Sequence, residues 1–316
     1  MDRRLFLRLG LGAAVVGGAV WLRDHVLWAP PRAAFPADGG TGWTPWAVRA
    51  VVPTVRARIG GREVRALVDS GAQYSVIDRP LFEALPRTET GGRGFDLPLM
   101  AHGVGGPPQM GRGAVLDVSV GGLRLSGLRA AILDLGPLAG DDGLGTPLIL
   151  GQDVLSRVIL DLDVERRRLA FADPATHEPP ASVHPVEVGR KGRALATTVT
   201  IEGRTVRAVV DTGASGLLAL RRSAAEAAGL LDGRPVTAGT SMVLGGVVAA
   251  QVVEARSVAF ADQTYHRRPV SIFADTAAPG VPEALLGMDA FAGRRVVMDL
   301  GAGRLWASRL LDLTVG

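Results

Sequence analysis

Two aspartates in the sequence stand near the ends of closely similar stretches, Val64–Ala72 and Val206–Ala214. In each stretch an apolar run leads into the order Asp, hydroxyl residue, Gly, Ala, with the acids at Asp69 and Asp211. Such a run is typical of a buried strand that breaks into a tight loop, because glycine permits close approach of the backbone. The sequence therefore predicts two carboxylates presented on equivalent loops.

Two carboxylates on equivalent loops could activate water if the loops lay side by side. Two ionised carboxylates ~3 Å apart at an effective dielectric of ~20 repel by roughly 5 kcal/mol, which corresponds to about 4 pK units. One carboxyl of such a pair therefore stays protonated while the other is ionised. The ionised group can take a proton from water, and the protonated group can donate one to a carbonyl oxygen.

The similarity between the two stretches extends over most of the chain. Gly61-Arg62 precedes the first acid and Gly203-Arg204 the second, each glycine 8 positions before its aspartate. Three landmarks recur in the two halves of the chain. The acids Asp69 and Asp211 are 142 residues apart, and the glycines of a later apolar-apolar-Gly step, Gly151 and Gly287, are 136 apart. The aspartates of a closing strand, Asp161 and Asp299, are 138 apart. These recurrences indicate an internal duplication.

The repeat divides the chain into four segments. Residues 1–46 are interpreted as an export signal or membrane anchor with a flexible tether, 47–173 as a first lobe, 174–185 as a proline-rich linker and 186–316 as a second lobe. In each lobe we expect a β-hairpin before the acid, and a strand and short helix after it. In the first lobe that helix is predicted from Arg79 to Leu85.

The N-terminal segment indicates export. Asp2–Arg8 is basic, and Leu9–Leu22 is a run of 14 uncharged, mostly apolar residues, which suits a signal peptide and is short for a membrane span. Arg3-Arg4 followed by Phe6-Leu7 resembles a twin-arginine export signal, which predicts a location in the bacterial periplasm. No clean cleavage site follows, so the alternative is an uncleaved anchor in the inner membrane.

Composition disfavours several other classes of protein. The 316 residues include no cysteine, which excludes disulfides, thiolate metal sites and a cysteine nucleophile. A net charge of +4, scattered arginines and 5% aromatic residues disfavour a nucleic-acid partner. The 5 histidines lack metal-ligand spacing and no Gly-x-Ser-x-Gly motif occurs, so neither a metal nor a serine triad is expected. No cofactor is expected either.

Taken together, Asp-Ser/Thr-Gly-Ala, a later glycine-rich segment and the apolar-apolar-Gly step resemble the retropepsin-like aspartic proteases over residues 47–310. The resemblance implies a mainly β, bilobal acid-protease fold, with two duplicated retropepsin-like β-barrel lobes and the active site between them. It also implies a monomeric endopeptidase that binds an extended peptide or protein substrate.

The same resemblance assigns roles to individual residues. Asp69 and Asp211 would be the catalytic pair. The other residues of the acid loops would brace the loops or let them approach: Ser70, Gly71, Ala72, Thr212, Gly213 and Ala214. Two glycine-rich segments would form flaps over the substrate: Gly103, Val104, Gly105 and Gly106 in the first lobe, and Leu244, Gly245 and Gly246 in the second.

Other recurring acids have simpler interpretations. Asp153 and Asp289 are predicted to cap the N-termini of short helices, and Asp161 and Asp299 to form turns. The main alternative to an enzyme is a catalytically silent peptide-binding or scaffold module of the cell envelope, since diverged lobes are expected of a binding protein as well. Peptide cleavage that depends on Asp69 distinguishes the two.

Overall fold

The computed structural model describes residues 28–86, 92–101, 109–243, 246–275 and 281–310. Most of the elements are strands. The first half contains β1 (Arg32–Ala34), β2 (Thr44–Pro45), β3 (Thr54–Ile59), β4 (Arg62–Val68), β5 (Val76–Asp78), β6 (Arg93–Ala101), β7 (Gln109–Val120), β8 (Leu123–Leu133), β9 (Leu148–Leu150), β10 (Ile159–Asp163) and β11 (Arg168–Ala172). Its helices are α1 (Arg79–Glu83), a 3-10 helix (Gly136–Leu138) and α2 (Gln152–Leu155).

The second half follows the same order of elements. Its strands are β12 (His184–Val186), β13 (Gly189–Lys191), β14 (Ala194–Ile201), β15 (Arg204–Val210), β16 (Leu218–Arg221), β17 (Val236–Val243), β18 (Gly246–Phe260), β19 (Gln263–Phe273), β20 (Ala284–Leu286), β21 (Arg295–Asp299) and β22 (Arg304–Ala307). Its helices are α3 (Arg222–Ala227) and a 3-10 helix (Met288–Phe291).

Each half closes into a ring of strands. In the first lobe, hydrogen-bonded neighbours run β8, β5, β9, β4, β3, β7 and back to β8, with β1 and β6 paired outside the ring. In the second lobe they run β19, β16, β20, β15, β14, β18 and back to β19, with β13 and β17 outside. The predicted mainly β fold of two duplicated barrel lobes is confirmed.

The hairpin that leads into the first acid loop shows why these residues form strands. Along β3 the buried Val55 and Ile59 alternate with the exposed Arg56 and Arg58, so one face of the strand packs inside the barrel. The turn at Gly60-Gly61 has φ of 55° and 80°, a conformation that glycine adopts without steric cost.

A third sheet joins the lobes. It has the order β12, β22, β21, β10, β11, β2 and takes three strands from each half of the chain. At its centre β10 pairs antiparallel with β21, so that Leu160 faces Met298 and Asp163 faces Arg295. Main-chain pairing therefore holds the two lobes together in addition to the covalent link between them.

The segment predicted as a flexible tether is built into the first lobe. Strand β1 pairs with β8, with Ala33 opposite Leu125, and β2 pairs with β11, with Thr44 opposite Leu169. Strand β12 begins at His184, so the end of the predicted linker also belongs to a sheet. These short edge strands were not expected because proline and glycine flank them.

The predicted flap tips fall mostly outside the described residues. Gly103, Val104, Gly105, Gly106, Leu244 and Gly245 are not among them, whereas Gly246 begins β18. Hairpins β6–β7 and β17–β18 lead to these segments in the two lobes. Among the described residues, the structure has no helix of the length and apolar character that a membrane span requires.

Candidate active site

Both predicted acids follow directly on buried barrel strands. Asp69 comes after β4 and Asp211 after β15. The Asp69 N–H donates to the Leu150 carbonyl at 3.0 Å, and the Asp211 N–H donates to the Leu286 carbonyl at 2.9 Å. Because these acceptors end strands β9 and β20, which run parallel to β4 and β15, each acid is fixed where its barrel strand stops.

Each carboxyl accepts hydrogen bonds from its own loop. Asp69 Oδ1 accepts from the N–H groups of Gly71 at 2.8 Å and Ala72 at 3.0 Å. Asp211 Oδ1 accepts from the Gly213 N–H at 2.8 Å. These bonds orient the two acids in the same way within two equivalent loops.

The two hydroxyl residues bind the loops to each other. The Ser70 N–H donates to Thr212 Oγ1 at 2.9 Å, and the Thr212 N–H donates to Ser70 Oγ at 3.0 Å. The Ser70 hydroxyl then donates to the Val210 carbonyl at 2.8 Å, and the Thr212 hydroxyl to the Val68 carbonyl at 2.6 Å. Both hydroxyls are buried, so four bonds that solvent does not reach hold the loops in register.

The loop glycines allow each carboxyl to pack against the opposite loop. A Cβ atom at Gly71 would lie 2.5 Å from Asp211 Cγ, and one at Gly213 would lie 2.7 Å from Asp69 Cγ. Neither distance leaves room for a side chain. The absence of a side chain at these two glycines therefore lets the two acids meet.

The two carboxyl groups lie close enough for each to affect the pKa of the other. Both residues remain half-buried rather than fully enclosed. Desolvation raises the pKa of Asp69, and desolvation together with the Asp69 charge raises the pKa of Asp211 well above its usual range. The pair therefore keeps a proton at a pH at which isolated aspartates are both ionised.

The apolar-apolar-Gly steps lie behind the acid loops. A Cβ at Gly151 would lie 2.8 Å from the Ala72 carbonyl oxygen, and one at Gly287 would lie 2.6 Å from that of Ala214. Just after these glycines, the N–H groups of residues 152 and 288 donate to the same two carbonyls at 2.9 and 2.8 Å. Each step therefore supports an acid loop from behind.

One supporting side chain was missed from the sequence. Gln152 Nε2 donates to the Ser70 carbonyl at 2.9 Å, and the residue is 4% exposed. Its counterpart in the second lobe is Met288, which has no group that could make this bond. A polar residue next to an otherwise apolar repeat was the available signal.

The sequence predicts that four recurring acids form helix caps or turns, and three of these predictions are wrong. Asp153 and Asp289 lie inside the first turns of their helices, because the capping positions are the preceding glycines. Asp161 forms an ion pair across the lobe junction, with Arg295 Nη2 at 2.6 Å. Asp299 does form a turn, since it accepts from the Ala302 N–H at 2.7 Å.

The part of the chain that the structure describes contains no group of three or more His, Cys, Asp or Glu residues arranged to hold a metal ion. The polar groups around Asp69 and Asp211 are hydroxyls and main-chain N–H groups. A pair of carboxyls with one proton between them can act on a water molecule as base and on a carbonyl as acid.

Comparison with known proteins identifies similar sequences and structures. The sequence model of a family described as aspartyl protease matches residues 55–154 and 197–290, and each match spans one acid loop with the glycine step behind it. A solved retropepsin-like aspartic protease from Rickettsia conorii is 23% identical, with a TM-score of 0.30, and the match covers 40% of this chain and 93% of that chain. No curated protein matches the sequence.

Proposed function

The chain belongs to the aspartyl protease family, and we propose that it is an endopeptidase that hydrolyses peptide bonds with water activated between Asp69 and Asp211. The observation that carries the proposal is the close approach of two carboxyls, each packed against the glycine of the opposite loop, on equivalent and mutually braced loops. Proximity makes such a pair hold one proton, which is the state that the reaction needs.

In this mechanism the two acids have complementary roles. Asp69 takes a proton from the water whose oxygen attacks the carbonyl carbon, and Asp211 donates its proton to the carbonyl oxygen. The tetrahedral intermediate collapses when its hydroxyl proton returns to Asp211 and the C–N bond breaks. The proton on Asp69 passes to the leaving nitrogen, which restores the starting state of the pair.

The substrate in this proposal is an extended peptide or protein segment. Hairpins β6–β7 and β17–β18 carry exposed apolar side chains near the predicted flaps, with Met110 61% and Val247 55% exposed. Exposed apolar groups on two hairpins favour a substrate whose side chains are apolar at alternate positions. No nucleic-acid partner and no cofactor enters the reaction.

We also propose that the protein is exported and acts as a monomer in the bacterial periplasm, with an N-terminal membrane anchor as the alternative to a cleaved signal. The basic residues and the apolar run of residues 2–22 support export. The presence of both acids on one chain supports a monomer.

Peptide cleavage by the purified full-length protein tests the proposal. A mixture of unstructured peptides is incubated with the wild type and with Asp69→Asn over mildly acidic to neutral pH, and the products are identified by mass spectrometry. We expect internal cleavage by the wild type, none by the variant, and a rate proportional to protein concentration. Binding of peptides without cleavage would instead favour the silent binding module.

A further inference from the structure

Trp28, the first residue that the structure describes, is almost completely buried although it precedes every strand of the two barrels. Its exposed fraction is 3%. The centroid of its ring lies 5.0 Å from that of Tyr74 and 5.8 Å from that of Phe95, in tilted arrangements that aromatic rings favour. The N-terminal segment therefore places one aromatic side chain against two others.

The pocket that holds Trp28 is assembled from the first acid loop, the β6–β7 hairpin and the second lobe. Tyr74 lies five positions after Asp69, on the segment that leaves the acid loop. Phe95 belongs to β6, and its ring lies over Gly113 of β7, where an added Cβ would collide with it. Arg193, which precedes β14 in the second lobe, places its guanidinium carbon 5.6 Å from the centroid of the Tyr74 ring. We call Tyr74, Phe95 and Arg193 the aromatic pocket.

The segment that carries Trp28 crosses the junction between the lobes. The next two residues, Ala29 and Pro30, line a cavity together with residues of both lobes, among them Ser156 of the first and Gly301 of the second. Strand β1 then pairs with β8 outside the ring of the first barrel. Trp28 therefore enters the aromatic pocket from outside both barrels.

The aromatic pocket would present ring faces to a ligand if Trp28 left it. Tyr74 and Phe95 are only half-buried even with Trp28 in place, so its departure would expose more of both rings. Aromatic side chains pack favourably on such faces, and a neighbouring guanidinium also attracts them. The chemistry of the pocket therefore suits an aromatic side chain, as its present occupant shows.

The aromatic pocket lies within reach of a peptide that is bound at the acids. Because Tyr74 follows Asp69 by five positions, their Cα atoms are at most about 18 Å apart. An extended peptide advances about 3.3 Å per residue. A substrate side chain in the pocket would therefore belong to a residue within about five positions of the scissile bond.

The second lobe has a different residue at the equivalent place. The residue five positions after Asp211 is Gly216, which is exposed and has no ring to offer. A Cβ added there would meet nothing within 4 Å. Within the described part of the chain, the duplication therefore provides an aromatic residue at this place on one side of the acids only.

Resting on the proposed function, we propose that the aromatic pocket is a specificity pocket for one aromatic side chain of the peptide substrate, and that Trp28 occupies it in the full-length chain. Trp28 then competes with the substrate within the same molecule. A pocket that is free for about a tenth of the time weakens the apparent binding of an aromatic residue about tenfold.

A substitution scan of one cleaved peptide tests the proposal. Each of about five positions on either side of the scissile bond is occupied in turn by tryptophan or alanine, and kcat and KM are measured. The wild type should show little difference between the two residues at any position. Trp28→Ala should prefer tryptophan at one position by about tenfold in KM with kcat unchanged, because the contact adds the same binding to substrate and transition state.

N-acetyl-tryptophanamide gives a second readout, since it can enter the pocket that Trp28→Ala leaves open. It should compete with the tryptophan-containing peptide in Trp28→Ala and not in the wild type. Two control variants should behave like the wild type. Trp28→Phe keeps a ring in the pocket, and Trp43→Ala removes an exposed indole elsewhere in the N-terminal part of the chain.

Near-UV circular dichroism shows whether each variant folds, and Trp28→Leu replaces Trp28→Ala if alanine unfolds the protein. A folded Trp28→Ala or Trp28→Leu variant without a preference for tryptophan at any scanned position would overturn the inference, because Trp28 would then only pack against the fold. Cleavage that still depends on Asp69 would leave the proposed function intact in that case. A protein that cleaves no peptide, with or without Trp28, overturns both.

Discussion

At the scale of single residues, the candidate site depends on glycines as much as on acids. Each carboxyl packs against the glycine of the opposite loop, where an added Cβ would lie within 2.7 Å of a carboxyl carbon. The hydroxyls of Ser70 and Thr212 then fix this approach through buried bonds. The acids, hydroxyls and glycines therefore form one unit, which explains why all three residue types recur in both copies.

A substitution at Gly71 tests this dependence. Gly71→Ala should lower kcat/KM by about 100-fold or more, because displacing a catalytic group by about 1 Å has a cost of this order. Gly216→Ala is the control, since it lies in the exposed part of the second acid loop and its added Cβ meets nothing within 4 Å. The measurement is kcat/KM of both variants with the same peptide. A wild-type kcat/KM in Gly71→Ala would show that the site does not need a glycine at position 71.

At the scale of elements, the lobes are joined where β10 pairs with β21. Asp161 accepts from Arg295 Nε at 3.0 Å and Nη2 at 2.6 Å across this junction, and the Asp161 side chain is only 4% exposed. The Arg295 guanidinium also lies 5.1 Å from the centroid of the Trp43 ring. The junction therefore combines main-chain pairing with a well-formed ion pair.

Removing one partner of this ion pair should destabilise the protein. Asp161→Asn should lower the free energy of unfolding by about 1–3 kcal/mol, because the guanidinium loses a charged partner in a partly buried place. Glu63→Gln should change it by less than about 1 kcal/mol, since the Arg56–Glu63 pair is 70% and 52% exposed. Urea denaturation measures both. An equal loss in the two variants would show that the junction pair has no special role.

Much of this architecture was predictable at the element scale because the sequence contains an internal duplication. The acid loops, the steps at Gly151 and Gly287 and the duplicated barrels follow from recurring landmarks. The position of Asp153 inside its helix was not predictable, because the helix begins two residues earlier than the pattern suggested. The partner of that acid, Ser75, lies 78 residues away in the chain, so no local signal connects the two.

At the scale of the whole molecule, one chain supplies both halves of the site. The barrels contribute equivalent loops, and the third sheet fixes the lobes relative to each other with strands from both. The two acids are not interchangeable, however, since among the described residues only the first lobe has a glutamine amide and an enclosed aspartate behind its acid loop, at Gln152 and Asp153. A single chain can thus give each acid a separate role.

The central claim is that Asp69 and Asp211 act as one unit, and a double-mutant cycle on peptide hydrolysis tests it most directly. Asp69→Asn and Asp211→Asn should each abolish turnover, and the double variant should be no slower than either single one, because neither acid works without the other. Thermal melting checks that all three variants fold. Substantial activity in folded Asp211→Asn, with Asp69→Asn inactive, would contradict the claim and leave the second loop without a catalytic role.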